Sequence, residues 1–190
     1  MNAPEKAPLL VRWMLQLEQS KALDTPVRAF EPKVRSIFGS GARGSVLRGD
    51  WLGHSLHPVL TDIALGTWTS ASLLDLTGGP QSSAAAQRLV GAGLLAAGPT
   101  AWTGWAEWSA AAPNAKRVGL VHAATNGAAI SIYAASWIAR RRGRHTSGVR
   151  LAVAGAAIST VGGYLGGHLA QGRKVGSRHS AFDGNDRNHA

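Results

Sequence analysis

The chain contains no cysteine, which excludes disulfides, zinc–thiolate sites and iron–sulfur clusters held by its own residues. Acidic residues are scarce too: ten Asp and Glu stand against twenty Lys and Arg, a formal charge of +10. Such an excess suits nucleic acid or an anionic lipid surface. Two Tyr and three Phe leave little stacking surface beside the tryptophans, and the cations flank apolar stretches instead of lining one polar face. Nucleic acid is therefore set aside in favour of lipid headgroups. Charge of either sign is missing between Arg88 and Glu107, between Arg117 and Arg140 and between Arg150 and Arg173. Uncharged runs of about 18 to 22 residues match the length a helix needs to cross a hydrocarbon core of roughly 30 Å. The one early apolar stretch, PLLVRWML, is broken by Arg12, so no secretory signal is expected.

What is present is helical pattern punctuated by short connectors. Residues 7–19 and 22–38 have the apolar spacing of two short amphipathic helices, the second interrupted at Pro32, and GSGARGS (39–45) has the composition of a flexible linker. Four spans are expected, over about 58–77, 88–108, 117–139 and 149–171. Asp62 and Asp75 make the first the least apolar, Pro99 should kink the second, and the Gly162/Gly166 and Gly163/Gly167 spacings of the fourth allow close helix approach. Short connectors make sequential helices antiparallel neighbours, so the fold expected is all-α: an integral membrane up-down four-helix bundle with short N-terminal amphipathic helices. The matching division is 1–48 as peripheral segment and linker, 49–172 as transmembrane domain and 173–190 as a polar tail. Basic residues nearly balance between the two sides. The cluster Arg140, Arg141, Arg142, Arg144 and Arg150 favours a cytoplasmic third connector.

Up-down topology carries the start of span one, the end of two, the start of three and the end of four to one membrane face. His54, His57, Glu107, His122 and His168 occur at those places, while His145, His179 and His189 fall in connector or tail. At about 100° per residue, His122, Asn126, Ala129 and Tyr133 form one stripe, and His168 shares a face with Tyr164. His57 precedes Pro58, a residue suited to the first helical position, which makes His57 the expected N-cap; Asp62, within about a turn and a half, could orient its ring. Ionisable groups at membrane depth are functional candidates. Neutral imidazole suits haem iron and transition metals. The expected cofactor site is therefore His122 and His168 as axial haem b ligands with Tyr164 and Asn126 beside them, or a metal ion held by His54, His57, His122, His168 and Asp62. Two other readings stay open: a structural membrane subunit whose histidines lock helix ends, and a small proton- or ion-coupled transporter using Asp62 and the histidines as a relay.

The stretches WLGHSLHPVLTDIALGTW, GLLAAGPTAWTGWAEW, RVGLVHAATN and GGYLGGHLAQGRKVG, with HSAFD after them, resemble the bacterial membrane family known as domain of unknown function 2231, in its actinobacterial form. The resemblance runs from about residue 22 to 183 and implies a four-helix domain of the bacterial inner membrane, crossing it several times. Some members are followed by a Rieske-type iron–sulfur domain. The resemblance thereby implies an electron-transfer role with a Rieske-type protein as redox partner, and it matches His54, His57, His122 and His168 to the family's recurrent histidines. Membrane lipids are the other expected partner, a homo-oligomer is an option, and no iron–sulfur cluster belongs to this chain.

Overall fold

The computed structural model describes residues 7–176; the expected tail beyond 176, with HSAFD, lies outside the described residues. Among these the secondary structure is helical, with seven α-helices: α1 (Leu9–Gln19), α2 (Asp24–Val34), α3 (Gly41–Arg48), α4 (His57–Thr77), α5 (Ser83–Ala110), α6 (Pro113–Arg141) and α7 (His145–Gly167). A π-helical turn, His168–Gly172, continues α7. The four long helices fall where the four spans were expected. Two of them, Pro113–Arg141 and α7 with its continuation to Gly172, are long and apolar enough to cross a membrane, and only 22% and 28% of their apolar windows are buried. The core helix of a soluble protein would be mostly covered.

Three local expectations change. Helix α4 begins at His57 itself and Leu56 is its N-cap, so Pro58 sits at the second helical position and His57 is not a capping side chain. Pro32 lies inside α2 without interrupting it, and a π-helical turn, Arg35–Gly39, follows. The GSGARGS stretch is mostly helical, since α3 starts at Gly41. Gly44 is there for contact: a Cβ at this position would come within 2.5 Å of the Gly39 carbonyl. Arg48 Nη1 donates to that same oxygen at 3.0 Å. Small size serves close backbone approach here, not flexibility.

The chain forms two compact units. The first comprises 7–55, 104–122 and 164–176 of the described residues, the second 56–103 and 123–163. The N-terminal segment thus shares a unit with helix ends. Met14 packs with Val118 and Leu165, and Val27 and Val34 pack with Trp108. Polar links reinforce this packing. Lys116 Nζ reaches Glu31 at 2.5 Å, Arg117 Nε reaches Asp24 at 2.6 Å, and Arg117 Nη1 donates to the Glu18 carbonyl at 2.6 Å. Two adjacent cations at the start of α6 therefore hold α1 and α2.

The second unit is a bundle filled by aromatic rings in slots left by small residues. Trp68 stacks on Tyr133 with ring centroids 3.9 Å apart, and its Nε1 donates to the Val90 carbonyl at 3.3 Å. Gly93 leaves room for Trp68, Gly91 for Trp137 and Gly155 for Tyr133. Around them Ala71, Ala86, Ala97 and Ala152 are buried. The same unit holds an ion pair absent from the sequence reading. Arg140 grips Asp75 through both terminal guanidinium nitrogens, at 2.9 and 2.5 Å, with side-chain exposures of 0% and 3%. Ser136 Oγ accepts from Arg140 Nε at 3.3 Å and donates to the Gly148 carbonyl at 2.6 Å. His145 Nε2 lies 3.6 Å from Asp75.

Candidate functional site: a polar cavity and its histidines

The polar residues of the first unit surround a cavity of about 490 Å³, bordered by Arg48, His54, Ser55, Glu107, Arg173 and Lys174. Its walls come from turns in left-handed backbone: Gly49, Gly53 and Gly176 have φ of 77°, 83° and 68°, and Lys174, at 56°, is the one non-glycine residue with positive φ among those described. A non-glycine residue held there is strained by the order of 1 kcal/mol or more and persists only where its surroundings over-determine it. Glu107 is buried and accepts a hydrogen bond from the Ser55 hydroxyl. Gly176 lies against the same carboxylate, where a Cβ would come within 2.6 Å of the carboxyl carbon. Two independent constraints, positive φ and lack of space, thus require glycine at 176.

His168 has a defined set of partners. Its Nε2 lies 2.7 Å from Glu18 Oε1, and Arg173 donates to both oxygens of the same carboxylate through Nε and Nη2. Glu18 is only 4% exposed. Burial alone would raise its pKa, but the hydrogen bonds from Arg173 and His168 outweigh it and hold the carboxyl below its ordinary value of 4.5. The guanidinium of Arg173 is pushed up in turn. Nothing in the sequence marks Glu18 or Arg173 as a site residue, because the contact spans 155 positions and no spacing rule reaches that far.

The other expected site residues are distributed as follows. His54 Nδ1 lies 3.2 Å from the Ser55 carbonyl, at an exposed position. His57, in the second unit, places Nδ1 2.9 Å from the Thr100 carbonyl and 3.3 Å from the Thr103 hydroxyl. His122 faces Gly166 in the first unit, where a Cβ would come within 2.9 Å of its Cε1; Asn126 faces Gly162 in the second, at 2.5 Å by the same measure. The stripe read from sequence on α6 therefore faces α7, with Tyr133 against Gly155. Tyr164 is 43% exposed. Asp62 is exposed and makes no hydrogen bond or ion pair among the described residues, so no contact orients His57 through it. His54, His122 and His168 share the first unit, His57 and Asp62 the second. Among the described residues no group of three or more His, Asp or Glu side chains is arranged to hold a metal ion.

Two long apolar helices left mostly uncovered fit a helical membrane protein. The chain belongs to the family described as predicted membrane protein, DUF2231, whose match covers residues 53–179. No curated protein and no solved structure matches the chain.

Proposed function

We propose that the chain is a four-span, cofactor-free membrane subunit whose histidines and buried acids join helix ends and shape a polar recognition cavity for a partner. The observation that carries this reading is the environment of His168. Its Nε2, the nitrogen that would ordinarily meet haem iron, is on Glu18. Its Nδ1 is turned to its own last turn, where a Cβ on Gly172 would come within 3.2 Å of it.

Spanning by α4 and α5 is supported by their outward faces: Val59, Ile63, Leu73, Leu76 and Leu95 are all more than half exposed. Four of their hydroxyls bond to carbonyls of their own helix, Thr61 on His57, Thr67 on Ala64, Ser72 on Trp68 and Thr100 on Ala96 at 2.8 to 3.0 Å. A hydroxyl satisfied by its own helix costs far less in hydrocarbon than an unpaired one.

One observation favours a second reading, a metal or haem redox subunit working with a Rieske-type partner. A carboxylate on one ring nitrogen is how ligating histidines are commonly oriented, and Glu18 stands in that position. Purification in mild detergent with haem and metals supplied during expression separates the two readings. The structural reading expects a colourless protein with no stoichiometric metal and a lower unfolding midpoint in His168→Ala. A haem band or a metal bound one to one and lost in His168→Ala would replace it with the redox reading.

A further inference from the structure

Residues 7–55 contain four acids, Glu18, Asp24, Glu31 and Asp50, and each is held by a cation: Arg173, Arg117, Lys116 and Arg48. The cations of the same segment are used differently. Arg12, Lys21, Arg28, Lys33, Arg35 and Arg43 are all exposed, and none is in an ion pair among the described residues. Arg28 donates only to the Thr25 hydroxyl and Arg43 to the Ser36 carbonyl. Folding thus leaves an outer surface whose unneutralised charge is of one sign.

The same segment also leaves large apolar side chains uncovered. Leu9, Trp13, Phe30, Ile37, Val46 and Trp51 are between 50% and 67% exposed. On α1 the pattern is two-faced: Met14 and Glu18 are buried on one side, while Leu9, Arg12, Trp13 and Gln16 stand exposed on the other. A helix with tryptophan and leucine beside arginine on its uncovered face has the composition of one lying in a bilayer interface. Water leaves the apolar residues uncovered, and a protein partner of acidic chemistry would satisfy the cations alone. An anionic bilayer surface takes both at once, the rings among headgroups and the cations against phosphates.

We infer that the N-terminal segment docks on the surface of an anionic leaflet, with Trp13 and Phe30 inserted at headgroup level and the six unpaired cations held by lipid phosphates. The absence of native cysteine makes the test direct. Full-length Trp13→Cys, Phe30→Cys and, as a polar control, Thr25→Cys carry a spin label in nanodiscs of phosphatidylglycerol or of phosphatidylcholine. In phosphatidylglycerol, accessibility to oxygen over a water-soluble nickel chelate rises severalfold at 13 and 30 and not at 25. The rise shrinks in high salt, as screening requires, and is lost in an Arg12→Glu, Lys33→Glu, Arg35→Glu background, whose far-ultraviolet dichroism stays unchanged because these cations hold no part of the fold. Labels at 13 and 30 that stay open to the nickel chelate in phosphatidylglycerol overturn the proposal. So does spin–spin broadening between protomers, which would assign the surface to a second copy of the chain.

Discussion

Replacing Asp75 by Asn tests how the second unit treats its ionic groups. The Arg140 side chain has no exposure and is bound through both terminal nitrogens to Asp75. Removing the carboxylate charge leaves a buried guanidinium with only the Ser136 hydroxyl and the partial charge of an amide. Breaking one side of a buried pair in this way costs about 3–5 kcal/mol, which in a chain of this length lowers the unfolding midpoint by roughly 6–20 °C. Arg140→Met alone leaves the acid with His145 Nε2 3.6 Å away in place of the guanidinium, at a cost below that of Asp75→Asn. The double variant Asp75→Asn, Arg140→Met leaves no uncompensated charge and recovers most of the loss, since a neutral packed pair is often as stable as the ionic one. Thermal unfolding in one detergent, followed by dichroism, reads all four proteins of the cycle. A loss below about 1 kcal/mol in Asp75→Asn, the range of exposed pairs, or no recovery in the double variant would refute the view that this contact is desolvated and coupled.

Two further outcomes follow from the contacts of the first unit. Because the Glu18 pKa is lowered in the folded chain, its contribution is complete above its ordinary value of 4.5 and fades as pH falls through the lower folded value. Unfolding midpoints scanned below pH 5 should therefore decline in the native chain and decline less in Glu18→Gln; equal slopes would dismiss the carboxylate as the cause. Gly166→Ala forces a methyl within 2.9 Å of His122, whereas Gly163→Ala meets nothing within 4 Å. The first should cost about 1–3 kcal/mol and the second stay within about 0.5 kcal/mol of the native chain, a contrast that equilibrium unfolding of the pair would expose or deny.

The long helices were legible because their signal is local: uncharged runs of the right length, bounded by Pro58 and Pro113 at helix starts and by Gly143, whose φ of 73° ends α6. The stripe His122, Asn126, Tyr133 was legible for the same reason, since one helix period fixes it. The partners of that stripe were not, and they are glycines of α7. Glycine in the GSGARGS stretch misled in the opposite direction, because composition cannot separate a glycine kept for mobility from one kept for contact. The Asp75–Arg140 pair stood within reach of topology alone. The ends of spans one and three share a side in an up-down bundle, and each carries one of the two ions, yet locally Asp75 reads as a flaw in a span and Arg140 as part of a basic cluster.

The histidines show where inference from convergence stops. Topology brings ionisable groups into one region, but whether they form a ligand sphere or a set of internal contacts depends on which residues compete for each ring nitrogen. Those competitors here are a carboxylate 150 positions away for His168 and a backbone carbonyl on α5 for His57. A carbonyl exists at every residue and leaves no mark in a sequence. Glu18 leaves one only in hindsight: it is an acid on the buried face of α1, beside Met14, and a buried acid requires cationic or hydrogen-bonding partners from elsewhere in the chain. With ten acids against twenty cations, each acid has several candidate partners. The scarce charge, not the abundant one, therefore marks the network.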